Sequence, residues 1–598
     1  MKTICKFGIS FLTPHRKIHA FGILLIIFIS ILFNMNGDYW SIQYCPWILV
    51  ISLLLIGFIG ITGFRINNIS IGKIDMLFIV FTSYIILSII LNGKPFTDKI
   101  YVFIGYFLFF FIAQLSIDNK ENLDLIWLGL ILILFAQAIQ GVLQYVGVIS
   151  PANIFFTITG SFINPGPYGG FLAVGPPILI YYCNKYIQRK MFYYSLICIG
   201  LFILTAIVLS GSRAAWIASI VGTLFMAKNL WFQNMKPFAL VNKKILTCIA
   251  IAFLSLFLFF LFQLKMDSSL GRIFIWKISL SIFKEHPLFG IGYEKFGVEY
   301  GKYQAAYFQS QQGSSEEVRL AGMNYFTFNE YLKILIEYGI TGFMLFVVFI
   351  YGVIKLILTK NDTCEQLIVP LSVTITILIF AFFSYPFSTI PISLLFFLSI
   401  SIISFYEKKQ NQFLTYKLPI NSLSKGFFCL VLVFMVYNVS MKLKAIRIWQ
   451  HAQQNLLFRE KQSWLDYKNI YSLLDNNGAF LFNYGAELSA GGYYKESCLI
   501  LNKTEKFFNS SDLHIILGNN YKKLKNYHMA EKEFITAHYM VPNLFTPLSH
   551  LFELYKETGE SKKATEMALK IYQLPIKVYS DKVKEIKTNA LDYLNEAK

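Results

Sequence analysis

The chain has 598 residues, 56% of them hydrophobic and 15% charged, with 59 phenylalanines. Soluble domains are about one quarter charged, so this composition excludes an ordinary soluble protein and belongs to the polytopic membrane class. A formal net charge of +19 would point to nucleic acid in a soluble chain, but lysine and arginine accumulate in the cytoplasmic loops of membrane proteins and must be sorted by position first.

Apolar runs of bilayer-spanning length occur at about 19–35, 45–64, 74–92, 98–117, 123–147, 168–183, 191–210, 213–227, 244–263, 329–357, 366–386, 389–406 and 425–440, thirteen in all. The first lacks an A-x-A-type site and reads as a retained signal anchor. With the N-terminus inside, the cytoplasmic connections hold Lys2, Lys6, Arg16, Lys17, Arg65, Lys73, Lys120, Lys185, Arg189 and Lys190. They also hold Lys228, Lys236, Lys243, Lys244, Lys355, Lys360, Lys408, Lys409, Lys417 and Lys425. The short connections on the other side hold Lys94, Lys99 and Arg213, so the count is 20 against 3. This bias places the loop at 264–328 and the C-terminal tail outside the cytoplasm, and it excludes a nucleic-acid partner. The expected fold class is all-α: a polytopic membrane domain over residues 1–440, with about thirteen spans, followed by a soluble helical domain over 445–598. The eight cysteines show no CxxC or other metal spacing. Only Cys45 and Cys498 would face an oxidising compartment, so no disulfide framework and no metal site are expected.

Three short motifs fall on the outer side. After the fifth run comes Gly160-Ser-Phe-Ile-Asn164-Pro-Gly166-Pro-Tyr-Gly169-Gly170, where glycine and proline bend the backbone at a depth tolerated only against a protein cavity. Between the seventh and eighth runs stands Leu209-Ser-Gly-Ser212-Arg213-Ala-Ala-Trp216. Its guanidinium sits at a helix N-terminus, which favours anions, and arginine offers a bidentate fork for phosphate. The competing reading is an arginine that snorkels to the interface. The third motif lies in the long loop, around Arg272. There Ile273, Trp276, Leu280 and Phe283 recur at helical spacing, as in an amphipathic helix on the outer leaflet, which would make Arg272 a surface anchor.

That loop is roughly 60 residues long, far longer than a connection needs, and its aromatic and glycine content argues that it is folded. It carries His286-Pro-Leu-Phe-Gly290-Ile-Gly292-Tyr-Glu-Lys-Phe296 and leads through Phe328-Asn329-Glu330-Tyr331-Leu332 into Glu337-Tyr-Gly339-Ile-Thr-Gly342. Glu337 and Lys333 stand one turn apart within the tenth run and either face a polar cavity or satisfy each other. Gln140 and Gln144 have the same spacing in the fifth run.

From about residue 445 charges of both signs are mixed. A 34-residue window from Ser511 contains Leu517, Gly518, Tyr521, Ala530, Phe534, Ala537 and Pro542. These positions follow the tetratricopeptide pattern, in which small residues let two helices close together. Looser windows lie on either side. No motif assigned to phosphate or glycan lies beyond Gly342, so the repeats are expected to be separable from the chemistry and to bind a peptide or protein partner.

Residues 120–345 resemble the O-antigen ligase and polymerase superfamily of bacterial cell-envelope glycosyltransferases. The likeness is carried by Gly141-Val-Leu-Gln144, Gly160-Ser-Phe-Ile-Asn164, Ser212-Arg213, the stretch from Arg272 to Gly292, and Asn329-Glu-Tyr-Leu with Glu337 and Gly339. It implies an inner-membrane enzyme that transfers a glycan from an undecaprenyl-diphosphate carrier to a glycan, lipid or protein acceptor on the periplasmic side. It further implies arginines on the diphosphate and no metal or nucleotide cofactor. On that reading Arg213, Arg272 and Glu330 are the catalytic candidates, and Asn164, Ser212, Asn329, Glu337 and His286 the substrate-binding ones. One position departs from the family: ligases carry a histidine directly before the motif asparagine, and here it is Phe328, which can neither accept a proton nor orient a hydroxyl. Glu330, Glu337 and His286 are the alternative bases. Against those roles, Glu330 can complement the helix dipole, Asn329 can be a helix cap, and Glu337 can pair with Lys333. A polymerase of the same superfamily is the nearest alternative function. A flippase should show polar residues along several spans, whereas the arginine and glycine motifs here concentrate on one face. An assembly factor would not need thirteen spans to anchor its repeats.

Overall fold

The computed structural model describes residues 14–32, 43–54, 68–92, 97–115, 117, 120–151, 153–231, 263–358, 365–410, 415–419, 422–456 and 461–596. The protein is all-α and polytopic. Its membrane part comprises α1 (Pro14–Leu32), α2 (Gln43–Leu54), α3 (Lys73–Leu91), α4 (Lys99–Leu115), α5 (Lys120–Tyr145), α6 (Pro165–Leu172), α7 (Gly175–Lys185), α8 (Lys190–Leu209) and α9 (Arg213–Trp231). The long loop forms α10 (Met266–Glu285), α11 (Phe296–Gln309) and α12 (Ser315–Leu320). Then follow α13 (Glu330–Leu358), α14 (Glu365–Ala381), α15 (Ile390–Gln410) and α16 (Ser422–Leu456). Among the described residues α3, α5, α8, α9, α13, α15 and α16 are long and apolar enough to cross a membrane, and α1, α2, α4 and α14 are shorter apolar helices. The ninth predicted run, 244–263, lies outside the described residues apart from its last position. The sixth run is not one span but two short helices, α6 and α7, meeting at Ala173 and Val174 ahead of Pro176 and Pro177.

Helix α15 is the most enclosed, packed among α3, α4 and α14, whereas α16 presents Phe427, Leu430, Val433, Phe434 and Tyr437 outward, as a lipid-facing helix should. Phe78, Phe109, Phe110, Phe171, Phe349 and Phe380 fill the core. At one end of this bundle a two-stranded antiparallel ladder joins β1 (Asn68–Ile71) to β2 (Tyr416–Pro419). Beside it the fully buried Asp75 takes Lys408 Nζ at 2.9 Å and Gln114 Nε2 at 2.9 Å. Such a buried pair ties α3, α4 and α15 in one register, since removing either partner strands a charge. The arginine motifs lie at the other end.

Beyond α16 the chain continues as antiparallel helices: α17 (Lys461–Leu474), α18 (Gly478–Ala490), α19 (Tyr494–Thr504), α20 (Ser511–Lys523), α21 (Tyr527–Met540), α22 (Phe545–Glu557), α23 (Ser561–Gln573) and α24 (Asp581–Glu596). A Cβ on Gly518 would stand 2.4 Å from the Phe534 ring, and one on Gly485 would stand 2.5 Å from Leu501. Glycine thus sets the closeness of two successive helix pairs. The array also touches the long loop. Helix α21 packs directly on α11, with Met540 and Val541 against Ala305 and Met323.

Candidate active site

The turn between α8 and α9 is Ser210-Gly211-Ser212, and Gly211 adopts φ +59°, a left-handed conformation open to glycine at little cost. The reversal makes Arg213 the first residue of α9, where backbone N–H groups lack helical partners. Helix α6 is pressed against this turn: a Cβ on Gly169 would meet Ser210 Oγ at 2.8 Å, Ala215 Cβ at 3.0 Å and Ser212 Cβ at 3.1 Å. Asn164 caps α6, its Oδ1 accepting from Gly166 N at 2.8 Å. The loop before it is held by glutamines. Gln144 Oε1 accepts from the backbone N–H of Thr159 at 2.9 Å and of Gly160 at 2.7 Å, while Gln140 Oε1 accepts from Ser161 Oγ at 2.7 Å. Gln140 and Gln144 therefore grip the Gly160–Asn164 motif rather than each other.

Helix α10 brings the second arginine to the same place. Arg213 Nη1 donates to Ser269 Oγ at 2.9 Å, and Lys265 Nζ donates to Gly211 O at 3.1 Å. One turn further, Arg272 Nη1 donates to Phe383 O at 2.8 Å, with its guanidinium 5.1 Å from the centre of the Phe328 ring. Tyr385 completes the surroundings, stacked on Phe326 at 4.0 Å and edge-on to Phe328 at 5.5 Å. Burial, and then the neighbouring charge of Arg213, push the Arg272 guanidinium down to about 10. Burial first, then Arg213 and Arg272, also lower Lys265. Among the described residues neither Lys265 nor Arg272 has a carboxylate partner; nearby Asp267 is taken by Arg319 at 2.8 and 3.0 Å. Burial lowers Arg213 as well, so three partly desolvated cations, two of them further depressed by a neighbouring guanidinium, form a site whose charge is relieved by an anion.

Helix α10 carries two apolar stripes. Ile273 and Leu280 are exposed, and the buried stripe is Phe274, Ile275, Ile278 and Ile282, packed on Phe296, Tyr300, Phe308 and Ile336. Both stripes are apolar, so spacing alone could not choose between them. Arg272 is drawn inward to the α14–α15 turn, which a surface anchor would not be.

The glycine motifs find their reason in a backbone junction. Helix α13 breaks at Gly339, with φ 65° and ψ −172°, and the segment 287–292 docks into the break. Ile291 N donates to Ile336 O at 3.0 Å, Gly292 N to Glu337 O at 2.8 Å, and Ile340 N to Pro287 O at 2.8 Å. Side chains have no room here: a Cβ on Gly290 would lie 2.4 Å from the Glu337 carbonyl carbon, and one on Gly339 would lie 2.3 Å from that of Leu288.

The acidic candidates gather around Lys333. Glu330 is buried, and its Oε1 accepts from Phe387 N at 3.0 Å; Glu337 Oε1 accepts from Phe296 N at 3.3 Å. Lys333 does not pair with Glu337, as the helical spacing suggested, but with Glu294 at 2.5 Å, which also takes Lys99 at 2.7 Å. Burial alone would raise Glu294; Lys333 and Lys99 outweigh it and hold the carboxyl well below the usual carboxylate range. These groups share a cavity of about 100 Å³ walled by Phe78, Phe103, Tyr106 and Phe397. Asn329 caps α13, accepting from Leu332 N at 3.0 Å. His286 is exposed at the far end of α10, 14 residues and therefore roughly 21 Å from Arg272.

The structure thus brings Ser212, Arg213 and Arg272 together, turns Glu330 and Glu337 into the cavity with Lys333 and Glu294, leaves His286 exposed at the far end of α10, and uses Asn164 as the cap of α6. Two members of the site were missed in the sequence. Lys265 follows an apolar run and reads as its flank, and Tyr385 lies in a turn with no motif. Phe328, at the family's histidine position, does stand beside Arg272, with φ 53°, a value rare for a bulky residue and found where surrounding structure imposes it. No curated protein matches the chain. The family model described as O-antigen ligase matches residues 198–347, the stretch that holds Arg213, Lys265, Arg272 and the α13 motif, and over that stretch the chain is similar to the O-antigen ligase superfamily.

Proposed function

We propose that the protein is a glycosyltransferase that moves a glycan from an undecaprenyl-diphosphate carrier to an acceptor at the periplasmic face of the inner membrane. The observation that carries this reading is that Lys265 and Arg272 are brought close to Arg213, the first residue of α9. In the reaction the acceptor hydroxyl forms a bond to the anomeric carbon and the anomeric carbon–phosphate oxygen bond breaks. The electron pair leaves with the diphosphate, and the hydroxyl proton goes to solvent or to the departing phosphate. Cations fixed in advance around that phosphate stabilise the charge that grows there. Arginine suits this task because its planar fork holds two oxygens at once.

Phe328 removes the histidine base from the scheme, so stabilisation of the leaving group carries the catalysis, and the Tyr385 hydroxyl is a further donor within the same surroundings. The acceptor is a glycan, lipid or protein hydroxyl. The 20-to-3 distribution of basic residues supports placing the arginine cluster, α10–α12 and the C-terminal helices on the periplasmic side. Polymerisation of carrier-linked repeats is the second reading, since Phe328 removes the histidine that a ligase mechanism of this family would use.

The glycan phenotype of a deletion strain separates the two. A ligase or protein O-oligosaccharyltransferase leaves full-length carrier-linked chains unattached. A polymerase leaves single repeats and no long chains. Unchanged surface and carrier-linked glycans would contradict both.

A further inference from the structure

Helix α12 has six residues, too few to persist alone. Its Ser314 N-cap serves one end, and the carbonyls at its other end have no helical N–H to accept from. A residue more than 220 positions away serves them. Asn543, in the turn between α21 and α22, donates from Nδ2 to Val318 O at 2.9 Å, Arg319 O at 3.2 Å and Ala321 O at 2.7 Å. Arg319, so held, grips Asp267 with both terminal nitrogens, at 3.0 and 2.8 Å. Asp267 lies in the first turn of α10, two residues after Lys265 and five before Arg272. Beside this path the fully buried Gln304 donates to Met540 O and, at 3.2 Å, to Gly322 O, which keeps the loop and the array in one register.

We propose that Asn543 is a positioning residue for the arginine site: it caps α12 from the C-terminal array and, through Arg319 and Asp267, fixes the turn of α10 that presents Lys265, Ser269 and Arg272. This rests on the reading of that site as the diphosphate site. An exposed ion pair stabilises little by itself. Here it is bidentate and continues into a triple carbonyl cap, so its effect is on geometry, where small displacements weigh heavily. The C-terminal helices then take part in donor binding without touching the donor.

The test uses the full-length protein in proteoliposomes with an undecaprenyl-diphosphate-linked oligosaccharide as donor. Asn543→Asp keeps the volume and replaces the donating amide with an acceptor. Asn543→Asp and Asp267→Ala are each expected to raise donor KM about tenfold, with a smaller change in kcat. Their combination should be no worse than the larger single effect, and the exchange Asp267→Arg with Arg319→Asp should recover most of the loss. Additive effects, or parent-like KM in Asn543→Asp, would overturn the proposal. Amide hydrogen exchange over residues 264–272 provides a readout free of turnover: faster exchange in Asn543→Asp supports the path and unchanged exchange overturns it. If Arg213→Ala keeps parent-like KM and kcat in the same assay, the diphosphate reading fails, and the exchange result still decides the positioning.

Discussion

Arg213 donates from Nη1 to the Ser269 hydroxyl at 2.9 Å, and this bond joins the first residue of α9 to α10 one turn before Arg272. Ser269 Oγ in turn donates to Lys265 O at 3.2 Å. The serine therefore locks the arginine of one motif to the helix of another. Ser269→Ala leaves both arginines and removes the lock. Losing a bond to a charged group of this kind weakens function by about 1.5 kcal/mol, or roughly tenfold in glycan transfer. Transfer measured in membranes with protein levels matched checks this, and a parent-like rate would mean that the bond does not orient Arg213.

Gly290 of the loop and Gly339 of α13 are expected to be hard to replace. Each has a positive φ, and in each the place of a Cβ is already taken by backbone, which cannot move aside as a side chain can. Gly290→Ala and Gly339→Ala should each destabilise by more than about 2 kcal/mol and yield poorly folded protein. Gly322→Ala, where a Cβ meets nothing within 4 Å, should be neutral. Thermal unfolding in detergent compares the three.

Lys265 sets an expected pH dependence. Burial and the charges of Arg213 and Arg272 lower its pKa, so in the free enzyme it loses its proton at a lower pH than an ordinary lysine, which titrates near ~10.4. A bound diphosphate favours the protonated amine. Donor KM should therefore rise as pH increases, starting below the ordinary lysine range. Lys265→Arg, which keeps its charge throughout, should flatten that rise. A parent KM that stays constant over the alkaline range would remove Lys265 from the binding site.

The elements legible in the sequence were those set by local pattern. The apolar runs marked most helices, and Ser212-Arg213 was read at a tight turn before a helix, where the structure places it. Asn329 was read with a cap as its alternative, and it is one. The relations that build the site were not legible, because each joins residues far apart in the chain. The identity of Lys333's partner depended on Glu294 arriving from another helix–loop junction. Gly290, Gly292 and Gly339 signalled bends, but nothing local said that the bends fit one another. The packing of the C-terminal array on α11 left no signal either, because motif positions do not report packing. Asn543 and Gln304 fix that contact's register through single side-chain amides, which leave no periodic trace.

The central claim is that Arg213 and Arg272 hold the diphosphate of a lipid-linked glycan donor. Its most direct measurement is glycan transfer in a deletion strain complemented with Arg213→Ala, Arg213→Lys and Arg272→Ala, each confirmed at parent level in the membrane. Removing one charge-stabilising donor costs on the order of 100-fold in rate, so both alanine variants should fall by at least that factor. Arg213→Lys should lose much of the activity, since the charge remains and the fork does not. Transfer at the parent rate by Arg213→Ala and Arg272→Ala would contradict the diphosphate clamp and the transferase reading with it.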